Sequence, residues 1–160
     1  MKHFESPQPF RFLRILLQIL CLGMLLFTAL LLVVRWGTIP DKIPTHYGMS
    51  GAADAWGGKA SLLTTPILAA VLFVALTALE RFPQLWNTGV EITPRNRDRV
   101  YGLLRLMLVT VKTAAMAALL WPALCGVLQW PLGGWFLPAV LAAMFLPVAG
   151  ILIAVYRAQK

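Results

Sequence analysis

Residues 15–34 read ILLQILCLGMLLFTALLLVV, twenty positions without a charged side chain. With a rise of about 1.5 Å per residue, a helix of that length covers about 30 Å, the thickness of a bilayer's hydrocarbon core. The stretch decides the fold class, because a hydrated backbone has no place at that depth and a helix satisfies its own hydrogen bonds. A basic start, Lys2, Arg11 and Arg14, precedes it, with Pro7 and Pro9 keeping residues 1–14 irregular. A secretory signal also begins this way. Here the apolar run is long for a signal, no small-residue cleavage site follows, and Arg35 and Trp36 end it as a membrane interface would. The expectation is an uncleaved first span.

Composition agrees. Apolar residues make up 59% of the 160 positions and charged residues 12%, against about 45–50% and about 25% in soluble domains. The net charge of +8 invites a nucleic-acid reading. However, the charges are scattered between apolar runs, so membrane orientation explains them better and nucleic acid is not expected as a partner.

Moving outward, residues 62–79 form a second apolar run, with Pro66 tolerated in its first turn and Glu80, Arg81 and Pro83 as a stop. Residues 80–102 are a basic connector. Within it Thr93-Pro94 predicts a helix start, Thr93 as N-cap and Pro94 in the first helical position. Residues 103–128 are a third span, 129–134 a tight turn and 135–156 a fourth span in which Pro147 predicts a kink. Residues 157–160 are a tail. The expected fold is therefore all-α, an integral membrane four-helix bundle with a structured outer loop at residues 35–61.

Lys and Arg counts orient it. Lys2, Arg11, Arg14, Arg81, Arg95, Arg97, Arg99, Arg157 and Lys160 share one face, against Arg35, Lys42 and Lys59 on the other. The positive-inside rule then places both termini on the cytoplasmic side of a plasma membrane and the loop outside. Trp36, Trp130 and Trp135 would mark the outer interface and Trp86 the inner one. Cys21 and Cys125 fall in separate spans near opposite faces, so no disulfide is expected.

The chemistry concentrates in Trp36–Lys59, WGTIPDKIPTHYGMSGAADAWGGK. His46 lies between Asp41 and Asp54. His changes charge near neutral pH, yet one His and two loosely spaced Asp make a weak metal candidate beside the three or four ligands of known sites. Asp54-Ala55-Trp56-Gly57 and the neighbouring glycines suit a compact loop or small hairpin. Arg105 and Lys112 are seven apart and share a helix face. Charges within a span mark a pathway or a partner. The favoured expectation here is that the span starts near Thr110 and Lys112 snorkels to the headgroups. Arg95, Arg97 and Arg99 would meet anionic lipid heads. No catalytic motif, P-loop, dinucleotide fingerprint or cofactor motif is present in the sequence, so an enzyme is not expected and no cofactor is implied.

The loop resembles the domain of unknown function 1648 (DUF1648). That family's pattern is Pro-Asp-x-Ile-Pro-x-His-aromatic, then Gly, Asp-x-Trp-Gly and Lys. It falls on Pro40, Asp41, Ile43, Pro44, His46, Tyr47, Gly51, Asp54, Trp56, Gly57 and Lys59. The segment Asn87–Arg97 resembles the family's approach to its third helix, so the resemblance covers about residues 12–115. Gly48 stands where the family usually has Asn. The related SdpI-type immunity proteins sit in bacterial membranes, protect against a secreted killing peptide and signal by holding a repressor at the membrane. They continue beyond four spans. The resemblance implies immunity to, or sensing of, a membrane-active peptide, with Asp41, His46, Tyr47, Asp54, Trp56 and Lys59 as the contact surface. The alternatives are a small transporter or channel component, or an accessory subunit of a membrane complex.

Overall fold

A computed structural model describes residues 10–158. Lys2, His3, Pro7, Pro9 and Lys160 lie outside the described residues. The described residues form four α-helices: α1 (Arg11–Arg35), α2 (Thr64–Leu79), α3 (Arg97–Leu128) and α4 (Phe136–Arg157). All four are long and apolar enough to cross a membrane, taking α2 with the 3₁₀ turn Lys59–Leu63 that leads into it. This is a multi-pass membrane protein. Between α1 and α2 the chain makes an antiparallel hairpin of β1 (Lys42–Tyr47) and β2 (Ala53–Gly58).

Helix α3 is the axis of the bundle; α1, α2 and α4 all pack on it, and α1 touches α2 far less. Its thirteen buried residues run from Val100 to Val127, whereas α4 buries only Ile151 and Val155. In a bilayer the other faces of α4 meet lipid rather than water, so exposed Leu141, Phe145 and Leu146 are in their proper solvent. At 32 residues α3 is about 48 Å long, more than the hydrocarbon needs. The excess explains why it begins at Arg97, six residues before the expected 103. Its first turns carry Arg97, Arg99 and Arg105, which belong beyond the apolar slab.

The core lies in layers along α3. At the hairpin end, Leu32, Ile39, Ile43, Leu62 and Val127 pack together. Cys21, Ala69, Met116 and Leu120 form the middle. At the far end Val100, Leu103 and Leu104 pack with Ile151 and Val155, and the 80–96 connector adds Trp86, Val90 and Ile92. That connector is ordered by its own polar groups. Buried Asn96 donates to the Glu91 carbonyl at 2.9 Å and accepts the Thr93 N–H at 2.8 Å, and Thr93 Oγ1 accepts the Asn96 N–H at 3.3 Å. Thr93 therefore caps a turn and not the helix itself: residues 94–96 form the turn and α3 follows with Asn96 at its N-cap position.

Candidate functional site

The hairpin is not a flap in solution. Its tip carries Gly51 at φ 78°, a left-handed conformation that suits glycine, and the turn between α3 and α4 carries Gly133 at φ 80°. A Cβ on Gly51 would overlap the Gly133 carbonyl, and one on Gly134 would lie 3.0 Å from the Ser50 carbonyl oxygen. Two backbones thus meet where side chains would not fit. At its base the hairpin is fixed by Ile43, which is 1% exposed in the core layer at the hairpin end, and by Lys59. Lys59 Nζ meets Asp41 at 2.9 Å and lies 5.7 Å over the Trp36 ring.

Held at both ends, the hairpin roofs a cleft of about 820 Å³. Its floor comes from the 3₁₀ turn and the start of α2, the end of α3, the turn after it and the start of α4, including Leu62, Thr65, Ala123, Leu132 and Phe136. His46, Tyr47 and Asp54 also line it. The first three strand pairs sum to a constant register, Lys42 with Gly58, Ile43 with Gly57 and Pro44 with Trp56. Continued, that register would set His46 opposite Asp54. The ladder is irregular on both sides of His46, and such bulges re-aim side chains. His46 Nδ1 comes 2.5 Å from Asp54 Oδ1, with both side chains more than half exposed. Burial pushes the Tyr47 phenol up from its ordinary value.

Of the residues singled out in the sequence, the cleft gathers His46, Tyr47 and Asp54. Asp41 is not with them. Its pairing with Lys59 at the hairpin base removes the third ligand of the His46 metal candidate, and among the described residues no three His, Cys, Asp or Glu side chains gather. Trp56 lies outside the lining, cross-strand from Pro44 and 55% exposed. Arg95, Arg97 and Arg99 are exposed at the opposite end of the bundle. Both cysteines are free and buried.

A second polar site lies within the spans and corrects the expectation for Lys112. The ammonium does not snorkel: it is 0% exposed and bonded to Glu80 Oε1 at 2.6 Å, Gln18 Oε1 at 2.8 Å and Thr77 Oγ1 at 3.0 Å. The Phe73 ring covers it at 5.0 Å. Gln18 Nε2 donates in turn to Glu80 Oε2 at 2.7 Å. Snorkelling loses because the three donors of an ammonium find three oxygens inside the bundle, one of them charged. Glu80 is thus less a stop signal than the partner that lets Lys112 stay. Arg105 lies farther along α3, half-buried and within electrostatic range of Arg14. The sequence reading missed Gln18, Thr77 and Glu80. The available signals were a single amide in the first apolar run and one acid at the edge of the second.

Residues 23–70, from mid-α1 through the hairpin into α2, match the family model of the Domain of unknown function (DUF1648). No curated protein and no solved structure matches the chain.

Proposed function

From the DUF1648 domain that the chain carries at residues 23–70, we propose a recognition protein of the SdpI type, which binds a membrane-active peptide and so confers immunity to it or senses it. The cleft is the observation that carries this reading. Its volume, about 820 Å³, falls within the range of ligand sites, and its lining is mostly apolar with a few convergent polar groups. It sits at the hairpin end, where Trp36, Trp130 and Trp135 place the membrane interface, the region into which amphipathic peptides partition. The surplus of Lys and Arg at the other end supports a cytoplasmic placement of that end, with the hairpin outside the cell. The cleft is read as binding rather than catalytic, since the Ser61 hydroxyl on its rim is engaged in donating to the Gly58 carbonyl at 2.8 Å.

The test is a survival assay. A bacterium sensitive to an Sdp-type killing peptide expresses wild type, His46→Ala or Asp54→Ala at matched membrane levels. Protection by wild type and its loss in both variants is the expected result. Protection by all three removes the hairpin from the mechanism, and protection by none rejects immunity. The buried Lys112 supports a second reading, a component of a transport path, because intramembrane charges line such paths. Solute or ion flux in reconstituted vesicles that stops in Lys112→Met would favour it.

A further inference from the structure

We infer that the cleft takes a cationic amphipath, an apolar peptide segment on its floor with an ammonium or guanidinium group held at its mouth by Asp54. The inference rests on the reading of the cleft as a peptide site and adds the chemistry of the ligand.

Charge and hydrogen-bond direction argue for it together. Among the described residues lining the cleft, Asp54 is the single Asp, Glu, Lys or Arg. Lys42 and Lys59 lie at the hairpin base, outside the lining, and Lys59 is occupied by Asp41. A chain with a net charge of +8 thus presents a carboxylate and none of its Lys or Arg side chains at this cleft. Asp54 Oδ1 accepts from His46 Nδ1–H at 2.5 Å, which orients the carboxylate at the mouth of the cleft. The second carboxylate oxygen, Oδ2, takes part in no hydrogen bond among those of the described residues. The mouth therefore offers acceptors, and acceptors at a negative site are matched by a cation's N–H donors.

Deeper in the lining, Thr65 Oγ1 is buried without a hydrogen-bond partner. A buried hydroxyl of that kind is costly to leave unpaired. A peptide backbone on the cleft floor would supply the missing partner. The apolar part of the lining, Ile43, Leu62, Leu132, Phe136 and Leu137, would receive aliphatic side chains. An anionic amphipath would meet Asp54 with like charge, and a neutral one would leave the carboxylate desolvated and uncompensated.

The experiment uses the full chain in nanodiscs of zwitterionic lipid, with empty discs as the background. Three fluorescent synthetic amphipathic peptides share their leucines and carry Lys, Gln or Glu on the polar face. Expected is saturable binding of the Lys peptide, tighter than the Gln peptide by about tenfold or more, as suits a hydrogen bond to a charged group. Asp54→Asn should erase that preference, and Asp54→Glu, which keeps the charge, should restore part of it. Asp54 is exposed, so folding is not at issue. Equal saturable binding of the Lys and Gln peptides, unmoved by Asp54→Asn, overturns the cationic ligand while leaving peptide recognition in place. Binding of all three no greater than to empty discs overturns the recognition reading as well.

Discussion

Removing Glu80 should harm the protein far more than removing Lys112, although the two share one contact. Glu80→Gln leaves the Lys112 ammonium fully buried, with Gln18, Thr77 and an uncharged amide as its acceptors. A buried charge stripped of its partner costs about 3–5 kcal/mol. Polar contacts in membrane proteins often measure less, about 0.6 kcal/mol on average, because helices separated within the bilayer find other partners. Here the separated state makes the loss larger. Lys112 on a free α3 reaches the headgroups along its flexible stem, a relief the folded bundle denies it. The larger figure therefore governs.

Lys112→Met is the milder change. It takes the buried charge away with the side chain, and Met suits the apolar surroundings. Glu80 keeps the Gln18 amide at 2.7 Å and, with 18% of its side chain exposed at the end of α2, can turn toward the interface. The loss should be about 1–2 kcal/mol. The double variant Lys112→Met/Glu80→Gln should then be more stable than Glu80→Gln alone, a coupling of about 2 kcal/mol or more. Reversible unfolding of the four proteins in bicelles measures all three differences. Equal single losses that add in the double variant would refute the reasoning, since that is how an ammonium already solvated at the headgroups behaves.

Other consequences can be checked separately. Gly51→Ala puts a Cβ into the Gly133 carbonyl at a left-handed φ of 78°, so the hairpin tip should lift at a cost of about 1–2 kcal/mol or more. Faster proteolysis within residues 48–52 would report it, and Gly23→Ala, whose Cβ meets nothing within 4 Å, is the control. With Cys21 and Cys125 replaced by Ala, Met49→Cys should react with an impermeant maleimide in intact cells, and Arg95→Cys only after permeabilisation. Labelling in the opposite sense would invert the proposed orientation. The neutral Tyr47 phenol is favoured by burial. Its contribution to stability is present below the ordinary tyrosine value of about 10 and is lost as pH rises through the elevated folded value. In an alkaline absorbance titration Tyr47→Phe should remove the late-ionising component; an unchanged late component would place it elsewhere.

The four spans were legible because a bilayer imposes length and apolarity on each segment independently, and residues 15–34 satisfy both without reference to any other part of the chain. Span ends were less legible. At Arg97–Arg105 the charged turns belong to the helix though not to the hydrocarbon, and hydropathy responds only to the latter. The His46–Asp54 pair is an intermediate case. The two residues are equidistant from Ser50, so a hairpin centred there brings them near each other, while the irregular ladder, which pairs His46 with Ala55, is what aims their side chains together. The cleft needed more, the seating of Gly51 on Gly133, a contact between distant turns that neither turn announces.

Lys112 and Glu80, 32 positions apart, mark the limit of local reading. Each alone is most simply a charge retreating to the interface. Only the rotational phase of three helices, set by α3 packing against α1 and α2 at once, turns both inward onto Gln18. The same phase aims the C-terminal end of α3, Ala123 among its residues, into the cleft floor. The polar layer and the cleft are thus two consequences of one helix's placement. A rotation of α3 that opened one would disturb the other.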